Sequence, residues 1–296
     1  MPSYTEPSRP EHPSTYFVTD RSNADELRRL QVQDELITAG MGGILPEQPD
    51  STVFRRVLDV GCGTGGWLIA LAHALPEGGP LIGVDISRTF IEYARAQAQA
   101  AGVSDRVEFH AADALLLLEF PARFFDLVNH RFAMSWVRSW EWRKLLDEYQ
   151  RVTAPEGIIR CVEAELAQAN TPVFTTLRSL AHSAFYRAGH LLTPSGELAQ
   201  ALPALFHRYG LRDTQTQRTI LTYQADTEDG KRFCEDLRLG LRTMEPFLRK
   251  WVRVPDDYAE LCQQASREMD AAGFVVSVPL VTVWGRSGAL GAEPLR

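Results

Sequence analysis

The fold is decided by ten residues, 57–66, whose sequence is VLDVGCGTGG. The first four, Val57–Val60, have the composition of a buried strand, and a glycine-rich turn and a helical segment follow. Glycines at such a turn permit backbone angles closed to other residues and let a ligand approach the main chain. Gly61, Gly63 and Gly66 also have the G-x-G-x-x-G spacing of dinucleotide-binding folds. On its own, this turn leaves two classes of nucleotide-binding enzyme open.

Short apolar runs and longer helical segments alternate along the chain around this turn. The predicted strands are Val57–Val60, Leu81–Val84, Val107–His110, Phe125–Asn129 and Ile158–Val162. The helices predicted between them are Trp67–Leu75, Ser87–Ala101 and Trp140–Val152. Such alternation predicts βαβ units and a parallel sheet that is covered on both faces.

The regular alternation of strands and helices ends at about Glu163, and helical segments predominate after it. Helices are predicted over 171–188, 195–209 and 256–272, and a strand over 219–223. Between Phe233 and Trp251 apolar residues fall three or four apart, which predicts one apolar helical face, and Pro246 is expected to kink or restart that helix. The final apolar run, Phe274–Trp284, has strand composition and would return to the sheet. The helices inserted before it would then form a cap.

Three aspartates lie at the ends of three successive predicted strands. Asp59, two residues before the first glycine, would disfavour a pyrophosphate and favour a ligand with an ammonium or sulfonium charge. Asp85, at the end of the second strand, can accept hydrogen bonds from both hydroxyls of a ribose. Asp113, after the third strand, could accept one from an adenine amino group. Together the three acids suit an adenosine that carries no phosphate.

Five consecutive pieces of sequence carry a family resemblance. They occur in order, roughly between Val57 and Val162: LDVGCGTGG, GVDIS, AADA, FDLVNHRF and LLDEYQRVTAPEGIIRCVE. In these pieces the chain resembles the class I S-adenosylmethionine-dependent methyltransferases of the small-molecule type. The resemblance implies an α/β, Rossmann-like, doubly wound sheet of seven mostly parallel strands. Its antiparallel last strand would be Phe274–Trp284, with an N-terminal helical arm and a helical cap insertion added to the sheet.

The resemblance also implies a cofactor, S-adenosyl-L-methionine, and its product S-adenosyl-L-homocysteine. By this resemblance the methionine part would lie near Asp59, Gly61 and Gly63, the ribose would bind Asp85, and Ile86 would pack on the adenine. The full set of predicted cofactor-binding residues is Asp59, Gly61, Cys62, Gly63, Asp85, Ile86, Asp113, Ala114 and Asn129.

The residues that handle the acceptor are less clearly marked. Methyl transfer is an in-line displacement, so positioning can supply much of the acceleration, and a base is needed only if the acceptor arrives protonated. His130, next to Asn129 at the expected mouth of the site, is the candidate base. The candidate substrate contacts are Tyr16, Arg131, Trp136, His182 and Tyr186. No set of His, Asp or Glu residues suggests a metal, and we expect a metal-independent reaction.

The composition of the chain limits the classes of partner and the cellular compartment that we expect. The chain has 296 residues and a formal net charge of −7, which argues against nucleic acid as a substrate. Its four cysteines form no paired spacing, so a reducing compartment is expected. No apolar run approaches the roughly 20 residues of a membrane span, and the N-terminus lacks a signal core. We therefore expect a cytoplasmic protein, either a monomer or a homodimer, with no membrane partner.

These observations predict a division of the chain into six segments. They are an N-terminal arm and helix acting as a lid (1–50), a cofactor-binding core (51–170), a substrate-side helical segment (171–210), a sheet-completing strand (211–227), a helical cap (228–273), and the last strand with a tail (274–296).

The predicted function is transfer of a methyl group from S-adenosylmethionine to an O, N or C atom of a small, secondary-metabolite-like acceptor. One alternative is an NAD(P)-dependent oxidoreductase that shares the glycine spacing. Another is a non-catalytic cofactor-binding partner protein, in which side chains would fill the cap and leave no cavity beside the methyl position.

Overall fold

The computed structural model describes residues 24–75 and 79–288. Tyr16, predicted to contact substrate, lies outside the described residues. The strands are β1 (Val57–Val60), β2 (Leu81–Asp85), β3 (Val107–Ala111), β4 (Phe125–Arg131), β5 (Thr153–Ala164), β6 (Gln168–Ala169), β7 (Arg212–Gln224) and β8 (Val275–Arg286). The helices are α1 (Ala24–Gly40), α2 (Gly66–Ala74), α3 (Arg88–Ala100), α4 (Trp142–Val152), α5 (Pro172–Arg187), α6 (Leu198–Arg208), α7 (Glu228–Thr243), α8 (Glu245–Trp251) and α9 (Tyr258–Met269).

The strands form one mixed sheet, which confirms the predicted fold class. Strands β3, β2, β1, β4 and β5 lie side by side and parallel, and β8 pairs antiparallel with β5. Strand β7 covers the other edge of β8. The two-residue strand β6, which the sequence did not predict, pairs with β8 on the same edge as β5. Strands β1 and β2 are buried along nearly their whole length, and for this reason they read as short apolar runs.

Three strands, β4, β5 and β7, are each at least two residues longer than predicted. Strand β4 continues to Arg131, two residues beyond the predicted end. Strand β7 extends over thirteen residues, whereas the sequence predicted only 219–223. Polar side chains occupy most of β7 because it is the outer strand, so apolar content marked only its most buried part.

The predicted interruption at Pro246 is confirmed. Helix α7 ends at Thr243, and α8 begins with Pro246 in its first turn. Proline is tolerated there because the first turn of a helix needs no backbone N–H from it.

Helix α1 joins the sheet to the cap. Its Asp34 accepts a hydrogen bond from Arg131 at the end of β4. One turn and a half earlier, Arg29 pairs with Asp236 of α7 at 3.3 Å, and both side chains are buried. Glu26 holds the same guanidinium through two hydrogen bonds of 2.8 Å. Helix α1 is therefore attached to the sheet through Arg131 and to the cap through Asp236.

Within residues 24–75 and 79–288, no helix has both the length and the apolarity required to span a membrane. The division of the chain into six segments stays a prediction.

Candidate functional site

A cavity of about 790 Å³ opens at the carboxyl ends of the parallel strands. This is where ligands bind in open α/β sheets. One part, the strand end, is lined by Gly61, Gly63, Asp85, Ile86, Asp113 and Ala114. The other part, the cap end, is lined mainly by apolar side chains of three helices, Phe174, Leu177 and Phe185 of α5, Phe233, Leu237 and Leu241 of α7, and Leu248 of α8. The cavity thus joins the two parts of the chain that the sequence assigned to cofactor and acceptor.

The glycine turn at the strand end is built so that a ligand can approach its backbone. Gly63 has a φ of 54°, and a Cβ added there would meet nothing within 4 Å. Gly65, at a φ of 79°, has the opposite surroundings, because its Cβ would lie 2.7 Å from Phe109 and 2.9 Å from Ala94. Gly65 therefore lets the turn pack on the sheet, whereas Gly63 leaves open space facing the cavity.

The carboxylate of Asp85 is fixed beside this turn. It accepts hydrogen bonds from the backbone N–H of Gly63 at 3.1 Å and of Ser87 at 2.8 Å. Ser87 caps α3 through its own hydroxyl, which accepts from Phe90, so Asp85 is not required as the helix cap. Asp113 lines the same wall and accepts from the N–H of Leu115 at 2.9 Å. Two of the three predicted acids therefore face the cavity.

The third acid, Asp59, belongs to a buried polar row beneath the turn. Asp59, Asn129 and Arg160 are register partners on β1, β4 and β5. Asn129 donates to Asp59 at 2.7 Å and accepts from Arg160 at 2.8 Å, and Arg160 pairs with Glu47 at 2.7 Å. Burial raises the pKa of Asp59 to about 7. Neither Asp59 nor Asn129 is among the described residues that line the cavity, so any effect on a ligand is exerted through the turn.

Cys62 is also placed away from the cavity lining. Its side chain is buried, and its sulfur lies 3.0 Å from the position that a Cβ on Gly83 would take. Burial raises the pKa of its thiol well above the ordinary value. The structure favours a packing role for Cys62, with the neighbouring glycines lining the cavity.

The position of His130 does not support the predicted role as a base. Its imidazole is completely buried, stacks between Trp136 and Trp142, and bonds through Nδ1 to the hydroxyl of Tyr149 at 2.8 Å. Burial lowers its pKa to about 3. The reason is strand alternation: β4 continues through residue 131, so Asn129 and His130 point to opposite faces of the sheet. The side chain of His130 faces α4, and it is not part of the cavity lining.

Of the predicted substrate contacts that the structure describes, Arg131 and Trp136 line the cavity. Arg131 is engaged by Asp34 and Thr38 of α1. His182 and Tyr186 share one face of α5, as their spacing predicted, but neither lines the cavity, to which α5 contributes Phe174, Leu177 and Phe185 instead. The apolar residues of α5 could have indicated this orientation, since the apolar face of a helix is normally turned inward.

Three features of the lining were missed. Glu163, near the end of β5, has a fully buried side chain in the cavity wall. Arg29 and Asp236 contribute a buried ion pair to the cap end. Gly240 of α7 faces the cavity, and a Cβ added there would meet nothing within 4 Å. For Glu163 the signal was present, since an acid at the end of a strand is the same pattern that identified Asp85.

A search for metal sites covers only the part of the chain that the structure describes. In that part, no group of three or more His, Cys, Asp and Glu side chains could hold a metal ion. Metal independence of the reaction stays a prediction.

Known proteins match the first half of the chain. Residues 57–157 match the model of a methyltransferase domain. The chain is 34% identical over 109 residues to a demethylmenaquinone methyltransferase of Geobacillus kaustophilus, covering 37% of this chain and 45% of that protein. It is 33% identical over 131 residues to a protein of the same name from Shouchella clausii, covering 44% and 53%. The chain spans about half the length of the curated relatives it matches.

Solved structures extend the likeness to most of the fold. The YcgJ protein from Bacillus subtilis superposes with a TM-score of 0.54 at 21% identity, covering 84% of this chain and 98% of that one. The cyclase SpnF superposes with a TM-score of 0.52 at 18% identity, covering 87% and 93%. At these identities the likeness shows the fold alone.

Proposed function

We propose that this chain, whose residues 57–157 are a class I S-adenosylmethionine-dependent methyltransferase domain, transfers a methyl group to an O, N or C atom of a small acceptor. The observation that carries the proposal is the single cavity that joins the glycine turn to the apolar cap end. The family match stops at residue 157, before the cap, so the acceptor is inferred from this chain's own lining.

The residues at the strand end fit the cofactor. Gly63 leaves open space beside the turn, and the carboxylates of Asp85 and Asp113 line the adjoining wall. Asp85 would accept from the ribose hydroxyls, Ile86 would pack on the adenine, and Asp113 with Ala114 would hold its polar edge. The cofactor supplies a methyl group activated on a sulfonium.

The cap end supports an acceptor with an apolar body and few polar groups. Its lining is mostly Leu, Phe and Met, and it also includes the Arg29–Asp236 pair. An acceptor that buries apolar surface against this wall gains roughly 25 cal/mol of binding free energy per Å² buried. The relatives' names agree with a small-molecule acceptor. The open cavity differs from the filled cap expected of a non-catalytic partner protein.

Calorimetry separates this proposal from a nicotinamide-dependent enzyme. We expect S-adenosylhomocysteine to bind and NAD to give no measurable heat. Asp85→Ala should weaken S-adenosylhomocysteine binding by about 1.5–3 kcal/mol, because a charged acceptor of hydrogen bonds is lost. Tight binding of NAD alone would contradict the proposal.

A matched control for Asp85 exists at the other end of the sheet. Asp126 also accepts from two backbone N–H groups, those of Arg55 and Arg56, but it does not line the cavity. Asp126→Ala should therefore leave the affinity for S-adenosylhomocysteine within about twofold of the wild type. Equal losses in the two variants would mean that Asp85 acts only through the fold.

A substitution at Gly240 tests whether the acceptor binds at the cap end of the cavity. An aromatic side chain introduced there would project into the cavity, because the glycine has open space beside it. Gly240→Phe should retain S-adenosylhomocysteine binding but lose about tenfold or more in affinity for an apolar probe such as anilinonaphthalene sulfonate. Arg242→Phe, on the exposed side of the same helix, is the control and should bind both ligands normally. Unchanged probe binding in Gly240→Phe would place the acceptor elsewhere.

A further inference from the structure

Five positively charged side chains of the described residues line the cavity, and three of them are paired with acids. The three pairs are Arg29–Asp236, Arg131–Asp34 and Arg178–Glu197. The other two cations are Arg138 and Lys144. Neither has an acidic side chain within 4.0 Å among residues 24–75 and 79–288. The cavity wall therefore holds two cations whose charge the protein itself does not balance.

The guanidinium of Arg138 is open to a ligand. Of its three side-chain nitrogens only Nε is buried, and the two terminal nitrogens keep accessible surface. Within the described part of the chain, none of the three donates a hydrogen bond. The guanidinium carbon lies 5.4 Å from the centre of the Trp140 ring, and this cation–π contact limits where the group can lie. Arg138 thus presents two free donors at a defined place on the cavity wall.

The charges around Arg138 add to a positive potential. Lys144 lines the same cavity from the first turn of α4. The one acid among the lining residues of the described segment 131–144 is Glu141, whose carboxylate accepts from the backbone N–H of Arg138 at 2.8 Å. No side chain caps the start of α4, so its first backbone N–H groups contribute further positive partial charge. Two cations and a helix start outweigh one acid here.

The segment that carries Arg138 runs from the glycine turn to the cap end. The indole nitrogen of Trp136 lies 3.3 Å from the position of a Cβ on Gly61. Three residues later, the backbone N–H of Ser139 donates to the carbonyl of Gly189 at 2.7 Å, directly after α5. Arg138 therefore lies between the cofactor side of the cavity and a helix whose side chains line the cap end. An acceptor in the cap end can extend a polar group to it.

We propose that the acceptor carries an anionic oxygen group, a carboxylate or a phosphate, on its apolar body, and that Arg138 binds this group with Lys144 as the second cation. The inference rests on the proposed methyltransferase function and adds the charge of the acceptor. The two terminal nitrogens of a guanidinium donate parallel hydrogen bonds that match two oxygens of a carboxylate or phosphate. The three paired arginines would have to give up their acids to do the same.

Three probes with the same ring system test the charge of the acceptor. They are naphthoate, naphthyl phosphate and the neutral naphthalenemethanol, titrated by calorimetry into protein saturated with S-adenosylhomocysteine. Arg138→Gln removes the charge and the paired donors, and Arg138→Lys keeps the charge alone. The matched control is Arg143→Gln, because Arg143 is an exposed arginine nearby that pairs with Asp147 at 3.6 Å and lies outside the cavity lining.

We expect the wild type and Arg143→Gln to bind at least one of the two anionic probes about tenfold or more tightly than the neutral one. Arg138→Gln should lose about 10- to 100-fold in affinity for that anion and less than about twofold for the neutral probe. Arg138→Lys should fall between them. A preference for one anion over the other supports the proposal and identifies the group. Equal binding of all three probes by the wild type, or equal losses in Arg138→Gln and Arg143→Gln, would overturn it.

Titration with S-adenosylhomocysteine alone separates this inference from the function on which it rests. We expect the wild type and all three variants to bind it with affinities within about twofold of one another, which also shows that the variants are folded. No binding to the wild type would overturn the methyltransferase function itself. A loss of S-adenosylhomocysteine affinity in Arg138→Gln as large as its loss for the anionic probes would mean that Arg138 holds the carboxylate of the cofactor. That result would overturn the anionic acceptor and leave the function standing.

Discussion

Replacing Arg160 by methionine should cost about 3–5 kcal/mol of the free energy of unfolding. Arg160 and Glu47 are each 1% exposed, and the guanidinium bonds to both carboxylate oxygens of Glu47, at 2.7 and 3.2 Å. Methionine has a similar length but no charge, so Glu47 would be left as an uncompensated buried anion. The amide oxygen of Asn129 would also lose its donor at 2.8 Å. Urea unfolding at neutral pH measures the loss.

The comparison pair is Arg56–Asp126, which is partly exposed and has a similar distance of 3.0 Å. Arg56→Met should cost about 1 kcal/mol or less, because water already solvates that pair. The double variant Arg160→Met with Glu47→Leu should recover a large part of the stability, since no buried charge then remains unpaired. Equal losses for Arg160→Met and Arg56→Met would show that burial does not decide the strength of these pairs.

Replacing Gly63 by alanine should weaken S-adenosylhomocysteine binding by about 3 kcal/mol, which is roughly 150-fold. The added methyl group would occupy the open space beside the turn, where the cofactor is proposed to pass closest to the backbone. The loss is near the upper end of the range for overpacking because the cofactor itself would have to move away from the backbone that it is proposed to contact. Isothermal calorimetry on the folded variant gives the affinity.

Gly102 provides the control for the backbone strain. It has a φ of 71°, and a Cβ there would also meet nothing within 4 Å, but it lies outside the cavity lining. Both alanine variants should lose a similar amount of stability, on the order of 1–2 kcal/mol, because both force an L-residue into the left-handed region. Only Gly63→Ala should lose cofactor affinity. If Gly102→Ala lost affinity equally, strain alone would explain the result.

The sequence predicted the sheet and the strand end of the cavity well because both depend on local patterns. A buried parallel strand is an apolar run, and its carboxyl end is marked by the first acid or glycine after it. Asp85 and Asp113 were found in this way, and both line the cavity. The same rule also applies to Glu163, which directly follows the predicted strand Ile158–Val162.

The errors concern which way a side chain points. His130 was expected at the mouth of the site because β4 was predicted to end at Asn129, the residue before it. The strand continues through Arg131, so His130 is a strand residue, and its side chain points to the face of the sheet opposite that of Asn129. His182 and Tyr186 share a helix face as predicted, but the sequence alone does not say which face of α5 meets the cavity. The sequence predicted an apolar helical face between Phe233 and Trp251, and part of this face lines the cavity. Apolar periodicity identifies a buried face without telling whether protein or ligand covers it.

Helix α1 is attached to both the sheet and the cap, so the two proposed ligands would contact one and the same helix. One ion pair ties it to the end of β4 through Asp34 and Arg131, and another ties it to α7 through Arg29 and Asp236. Four of its side chains line the cavity, namely Arg29, Leu30, Gln33 and Ile37. A ligand that draws α1 toward the sheet therefore also changes the space left beneath the cap. If the bound cofactor changes the affinity for the acceptor by some factor, the bound acceptor must change the affinity for the cofactor by the same factor.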